Sequence, residues 1–205
     1  MRISHGQLET CLRDPNAWVT ERRSTARRYF RTGYEQILLL GIYRLHGTRS
    51  REQGREGIEG LFRKHDDLRN ETRKDGVRER YEMYADWCEE SGVTVVERRV
   101  TLEGVFGTFL TLGGHLHRVD GTRDGVRGVV LGDYGDSWDS ELRMPLIQLA
   151  LANRYGLEAG AISIGVQRLD GGQLRETSYN RGRLRVARQQ FVAISEYVKQ
   201  RWGRR

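Results

Sequence analysis

The sequence predicts an α/β protein: a central mixed sheet of about five strands flanked by helices, with a helical N-terminal part. Three observations lead there. Up to about residue 90, apolar residues recur at helical spacing between charged ones. From Val93 the texture changes to short β-branched runs bounded by glycine or polar turns. A helix-patterned segment at about 140–155 then separates strands, which demands a crossover and some parallel pairing. The change at Ser91-Gly92 divides the chain into an Arg-rich helical part, 1–90, and an α/β core, 91–205. No low-complexity linker separates them, and 205 residues suit one compact unit.

The elements follow in order. Ser4 and Gln7 have capping-box spacing ahead of Leu8 and Leu12, predicting a short helix closed at Asp14-Pro15. A second helical region runs from about 16 to 46, through Trp18, Val19, Tyr29 and Phe30 to the apolar run Ile37 to Ile42. Residues 49–90 read as two charged helices, one with Ile58, Leu61, Phe62 and Leu68 on a stripe and one with Tyr81, Tyr84, Trp87 and Cys88, broken at Gly76. Four strands are expected at VTVVERRV, VFGTFLTL, HLHRVDG and VRGVVLGDY. The helix at 140–155 follows, with Leu142, Leu146, Leu149 and Leu151 as its apolar side and Pro145 in its first turn. A fifth strand at AISIGVQRL, a short edge strand near 174–179 and a helix at 181–202 complete the chain. The last helix is expected to bury Val186, Phe191, Ile194, Tyr197 and Val198.

The formal charge is +7, and the lysines are Lys64, Lys74 and Lys199, so arginine supplies nearly all the positive charge. Arginine forks onto phosphate oxygens and stacks on bases, which favours a polyanionic partner, although a GC-rich genome would produce the same skew. Cys11 and Cys88 are too few for a disulfide framework or a four-thiolate iron–sulfur cluster, and they read as packing residues. No apolar run is long enough to cross a bilayer and the opening residues hold no signal core, so a cytoplasmic protein without a membrane partner is expected.

Three acids fall on strands or their ends: Glu97 in the first, Asp120 at the end of the third and Asp133 at the end of the fourth. Converging carboxylates could hold Mg²⁺ or Mn²⁺, which would orient a water and offset charge on a scissile phosphodiester. Acids are also common in turns. His115 and His117 share a strand face near Asp120, making His117 a candidate auxiliary ligand against the plainer reading of a hydrogen-bonded strand histidine. Arg22, Arg23, Arg27, Arg28 and Arg31, interleaved with Tyr29, Phe30 and Tyr34, suit a phosphate-contacting helix; arginine stems covering a core-facing aromatic row would look the same.

Taken in order, VTVVERRV, LHRVDG, the RDG turn, VVLGDYG and MPLIQLALANRYG resemble the RecB-like branch of the PD-(D/E)XK nuclease superfamily, as does the opening ISHGQLETCLRDPNAW. The resemblance implies a restriction-endonuclease-like core. In that branch a strand carries a glutamate, a later one ends in a motif like G-R-I-D, and the next ends in D-Y-K before a Gln-bearing helix. Glu97, Asp120, Asp133 and Gln148 are the matching residues. The motif lysine, which stabilises developing phosphate charge, is Gly135 here, and the tyrosine four residues after the helix glutamine is Ala152. No lysine lies between Lys74 and Lys199, so a substitute cation must be arginine, with Arg143 or Arg127 as candidates. Arginine stays protonated and shuttles protons poorly.

The resemblance therefore implies a nucleic-acid-binding pseudo-nuclease, with DNA favoured over RNA, acting with protein partners in a DNA-processing or antiviral defence assembly. Two alternatives stand beside it. One is an active Mg²⁺- or Mn²⁺-dependent nuclease using Glu97, Asp120 and Asp133; the other is a non-enzymatic scaffold whose basic surface meets an acidic protein.

Overall fold

A computed structural model describes residues 1–24, 33–65 and 67–203, with the backbone alone at 21–24 and 203. Among these are six strands and seven α-helices. They run β1 (Arg2–Ser4), α1 (His5–Arg13), α2 (Pro15–Ser24), α3 (Tyr34–Thr48), α4 (Arg51–Lys64), α5 (Glu71–Ser91), β2 (Val95–Gly104), β3 (Thr111–Gly121), β4 (Val126–Leu131), α6 (Arg143–Tyr155), β5 (Ile162–Gln167), β6 (Arg175–Thr177) and α7 (Arg181–Gly203).

The strands form one mixed sheet built around β3. Antiparallel β2 covers one edge of β3. The other edge is shared by β1, parallel to residues 111–113, and β4, antiparallel to residues 118–121. Beyond β4 lie β5, parallel to it through the α6 crossover, and antiparallel β6. The expected mixed α/β architecture is thus present. Helices α1, α2, α6 and α7 share one core with Leu112, Leu116, Val130 and Ile164 of the sheet, while α3, α4 and α5 share a second core with Val129 and Leu131. Each core draws on both the N-terminal helical part and the strand-rich part.

Local sequence accounts for most boundaries. Ser4 caps α1 with the reciprocal Gln7 box. The break expected at Gly76 lies instead at 65–70, because Asn70 accepts from the Arg73 amide at 2.9 Å and starts α5 there. Half-buried Gly76, with open space where a Cβ would sit, simply rides inside that helix.

The strands differ more. VFGTFLTL is not a strand at its start: the amides of Phe109 and Leu110 donate to Ser195 Oγ of α7, at 3.2 and 2.9 Å. The expected second and third strands merge into β3, which runs straight through Gly113-Gly114. That glycine pair reads as a turn in sequence, but a Cβ at 113 would strike the Arg2 side chain, and Gly114 adopts φ 136° against the His5 ring. The same packing brings in β1, which had no strand signature.

On α7 the buried stripe is Leu184, Ala187, Phe191, Ser195 and Val198, whereas Val186 and Tyr197 are exposed. A serine in the stripe concealed its phase.

Candidate functional site

Asp120 and Asp133 do not meet. Asp120 pairs across the β3/β4 hairpin with Arg127, so Asp133 lies six residues further along, past the opposite end of β4. At ~3.3 Å per extended residue the separation approaches ~20 Å.

Asp120 is committed elsewhere. Fully buried on the α5 side of the sheet, its Oδ1 accepts from Arg118 Nε at 2.8 Å. The Arg118 guanidinium also donates to the Tyr84 hydroxyl and lies 4.8 Å from the centre of the Trp87 ring. Asp120 Oδ2 and Arg118 Nη2 are both buried without a protein partner. Burial pushes the Asp120 carboxyl above its ordinary range, with Arg118 opposing. This is the environment of a structural ion pair.

Glu97 is equally occupied. Its two oxygens accept from Arg154 Nη2 at 2.6 Å and the Tyr155 hydroxyl at 2.7 Å, tying β2 to the end of α6. Gln148 is buried within α6, where its Nε2 donates to the carbonyls of Ala159 and Tyr179 and its Oε1 accepts from the Tyr179 amide at 2.8 Å. It clasps the connection between β6 and α7. Arg143, at the start of α6, donates to Glu141 and stands 5.3 Å from the Tyr134 ring centre.

Among the described residues, no three His, Cys, Asp or Glu side chains are grouped to hold a metal. The expected convergence of Glu97, Asp120, Asp133 and His117 is thereby corrected, and these residues do not fit a three-carboxylate Mg²⁺ or Mn²⁺ site. Arg27, Arg28 and Arg31 lie outside the described residues, as do the side chains of Arg22 and Arg23 on α2.

What the hairpin does bring to the end of β4 is His117. Its Nδ1 accepts the Leu131 amide at 2.8 Å, and its ring stacks on Tyr43 of α3, centroids 6.4 Å apart. Burial depresses its pKa to about 4, so it is neutral at physiological pH, and the Leu131 bond places its proton on Nε2. Neither nitrogen resembles the oxygen donors a hard cation prefers. In the register of the fold, Gly114-His-Leu-His117 occupies the level opposite the end of β4, and Asp120 lies one strand end away.

Asp133 itself is 80% exposed, 3.8 Å from Arg168 Nε. It borders a cleft of about 580 Å³ at the carboxyl ends of the parallel pair β4 and β5, with Tyr134, Gly135, Gln167, Arg168, Gln173 and Arg175. Arg175 crosses the cleft, donating to the Tyr134 carbonyl at 2.7 Å and to Asp136. A crevice beyond parallel strand ends is a common place for ligands in open α/β sheets. Sequence reading missed Arg168 and Arg175, whose role depends on a turn and an edge strand far along the chain.

No family model matches the chain, and no curated protein matches it in sequence. The fold does have solved counterparts. A protein from Eubacterium rectale described as a "Putative exonuclease" superposes with a TM-score of 0.51 at 8% identity, covering 88% of this chain and 71% of its own. SSO0001 aligns over 90% of this chain and 84% of its own at 9% identity, with a TM-score of 0.28. The first likeness shows a shared α/β fold. No helix among the described residues is long and apolar enough to cross a membrane.

Proposed function

We propose that this protein binds nucleic acid on a RecB-like PD-(D/E)XK fold that has lost its cutting apparatus, and that it serves as a subunit of a DNA-processing or defence assembly. The observation that carries the reading is the end of β4. Asp133 is exposed there and pairs loosely with Arg168, but Gly135 stands where the family has lysine, and His117 on β3 is neutral and bonded to the Leu131 amide. Arg168 and Arg175 remain around the cleft, and the net charge of +7 suits a polyanion. Losing one such cationic group typically costs roughly 10²–10³ in rate, and more when groups act together.

The test is binding and cleavage of single- and double-stranded DNA and RNA with Mg²⁺ or Mn²⁺, using wild type, Asp133→Ala and Gly135→Lys. A Cβ at 135 meets nothing within 4 Å, so the lysine variant should fold. Salt-sensitive binding to DNA without cleavage is expected from wild type, and Gly135→Lys alone should stay silent because Asp120 and Glu97 remain committed to Arg118 and Arg154. Metal-dependent cleavage by wild type that Asp133→Ala abolishes would refute the silent-subunit reading. Absence of any salt-sensitive binding would favour an acidic protein partner instead.

A further inference from the structure

A second basic cleft, lined by none of the residues around Asp133, lies between the last turns of α3 and the middle of β2. It encloses about 340 Å³ and is lined by Leu40, Tyr43, Arg44, Arg98 and Arg99, at the lower end of the range of small-ligand sites. Arg44, Arg98 and Arg99 are exposed, and among the described residues none of them has a carboxylate within ion-pair distance. The nearest acid in sequence, Glu97, is turned away onto Arg154 and Tyr155.

Arg98 is held in place, and the Arg99 backbone is constrained. Arg98 donates to the Tyr43 carbonyl, and its guanidinium lies against Gly47, where any Cβ would overlap it. Arg99 has φ 48°, a left-handed conformation that side chains rarely take, at the point where β2 passes His117. Tyr43 forms the inner wall, its ring stacked on His117. Three cations thus line one concavity with an aromatic and an aliphatic wall, one of them fixed, and among the described residues no acid pairs with them. An anion with an organic body would neutralise these charges, and guanidinium forks match phosphate oxygens.

We infer that this cleft is a binding site for a phosphate ester, held by Arg44 and Arg99 with Arg98 as the fixed floor and Tyr43 as the wall. The ester can be an internucleotide phosphate of a single strand or a free mononucleotide. Only the first source rests on the nucleic-acid reading above.

The experiment measures anisotropy of a labelled twelve-nucleotide DNA strand across a salt series, with AMP and inorganic phosphate as competitors. It compares wild type, Arg44→Ala/Arg99→Gly, and a control pair of exposed helix arginines, Arg185→Ala/Arg188→Ala, that removes the same charge from α7. Glycine at 99 suits the left-handed backbone, so the variant should melt like wild type. The cleft variant should bind the strand at least about tenfold more weakly, and its salt slope should fall by about 1.4, two contacts at ~0.7 each. The control should change far less. AMP binding by wild type, read directly by titration calorimetry and lost in the cleft variant, without strand binding, would keep the cleft and remove the nucleic-acid reading. Strand binding equal in the cleft and control variants would remove the cleft and keep that reading. Wild type binding neither strand nor AMP would overturn the inference.

Discussion

Arg118 Nε donates to Asp120 Oδ1 at 2.8 Å, two residues apart on one strand, with both side chains wholly shielded from solvent. Removing one member leaves an uncompensated buried charge. Asp120→Ala should therefore lower stability by about 3–5 kcal/mol, read from urea unfolding. Replacing both members, as Arg118→Met/Asp120→Leu, should recover most of the loss, because an apolar pair no longer carries a desolvation penalty. A single variant as stable as wild type would show that the pair contributes nothing and would reopen a chemical role for Asp120.

Stability should fall on mild acidification. His46, bonded to the Tyr84 hydroxyl at 2.9 Å, and His117 both have pKa values depressed by burial from the ordinary 6.5 to about 4. Between those values the unfolded chain takes up protons that the folded chain refuses. Their stabilisation is complete above pH 6.5 and is lost as pH drops toward 4, by roughly 3 kcal/mol from each histidine. Urea midpoints at pH 7, 5.5 and 4.5 would track it. His117→Gln, which can still accept the Leu131 amide, should about halve the slope; an unchanged slope would assign it to other groups.

The α3 to α5 layer depends on close backbone approach. A Cβ at Gly54 would lie 2.0 Å from the Tyr81 hydroxyl, which donates to the Arg51 carbonyl at 2.7 Å. Gly54→Ala should destabilise by about 1–3 kcal/mol despite alanine's better helix propensity. Gly76→Ala, where the space is open, should stabilise by up to about 1 kcal/mol. Thermal melting of the two variants should move in opposite directions.

The helices and the crossover were legible because capping residues, apolar spacing and the strand–helix–strand order are local signals; Ser4, Gln7 and Pro145 behave as their positions imply. The strand count was not, since Gly113 and Gly114 look like a turn until Arg2 and His5 are seen filling the space they leave. The acidic constellation misled for a related reason. Spacing along the chain identified Asp120 and Asp133 as partners, yet antiparallel register places strand-terminal residues of a hairpin at opposite ends. His117 was visible as a candidate, but its bond to Leu131 and its stacking on Tyr43 depend on tertiary packing that no short motif encodes.

The clasp formed by Gln148 has a dynamic consequence. Residues 178–179 lie between β6 and α7, and connecting segments ordinarily open by local fraying. Here the Tyr179 amide is locked to a side chain in the middle of α6, so its proton should exchange with solvent about as slowly as those of the sheet. That joint then opens only when the domain as a whole does, and α7 cannot peel away from its N-terminal end.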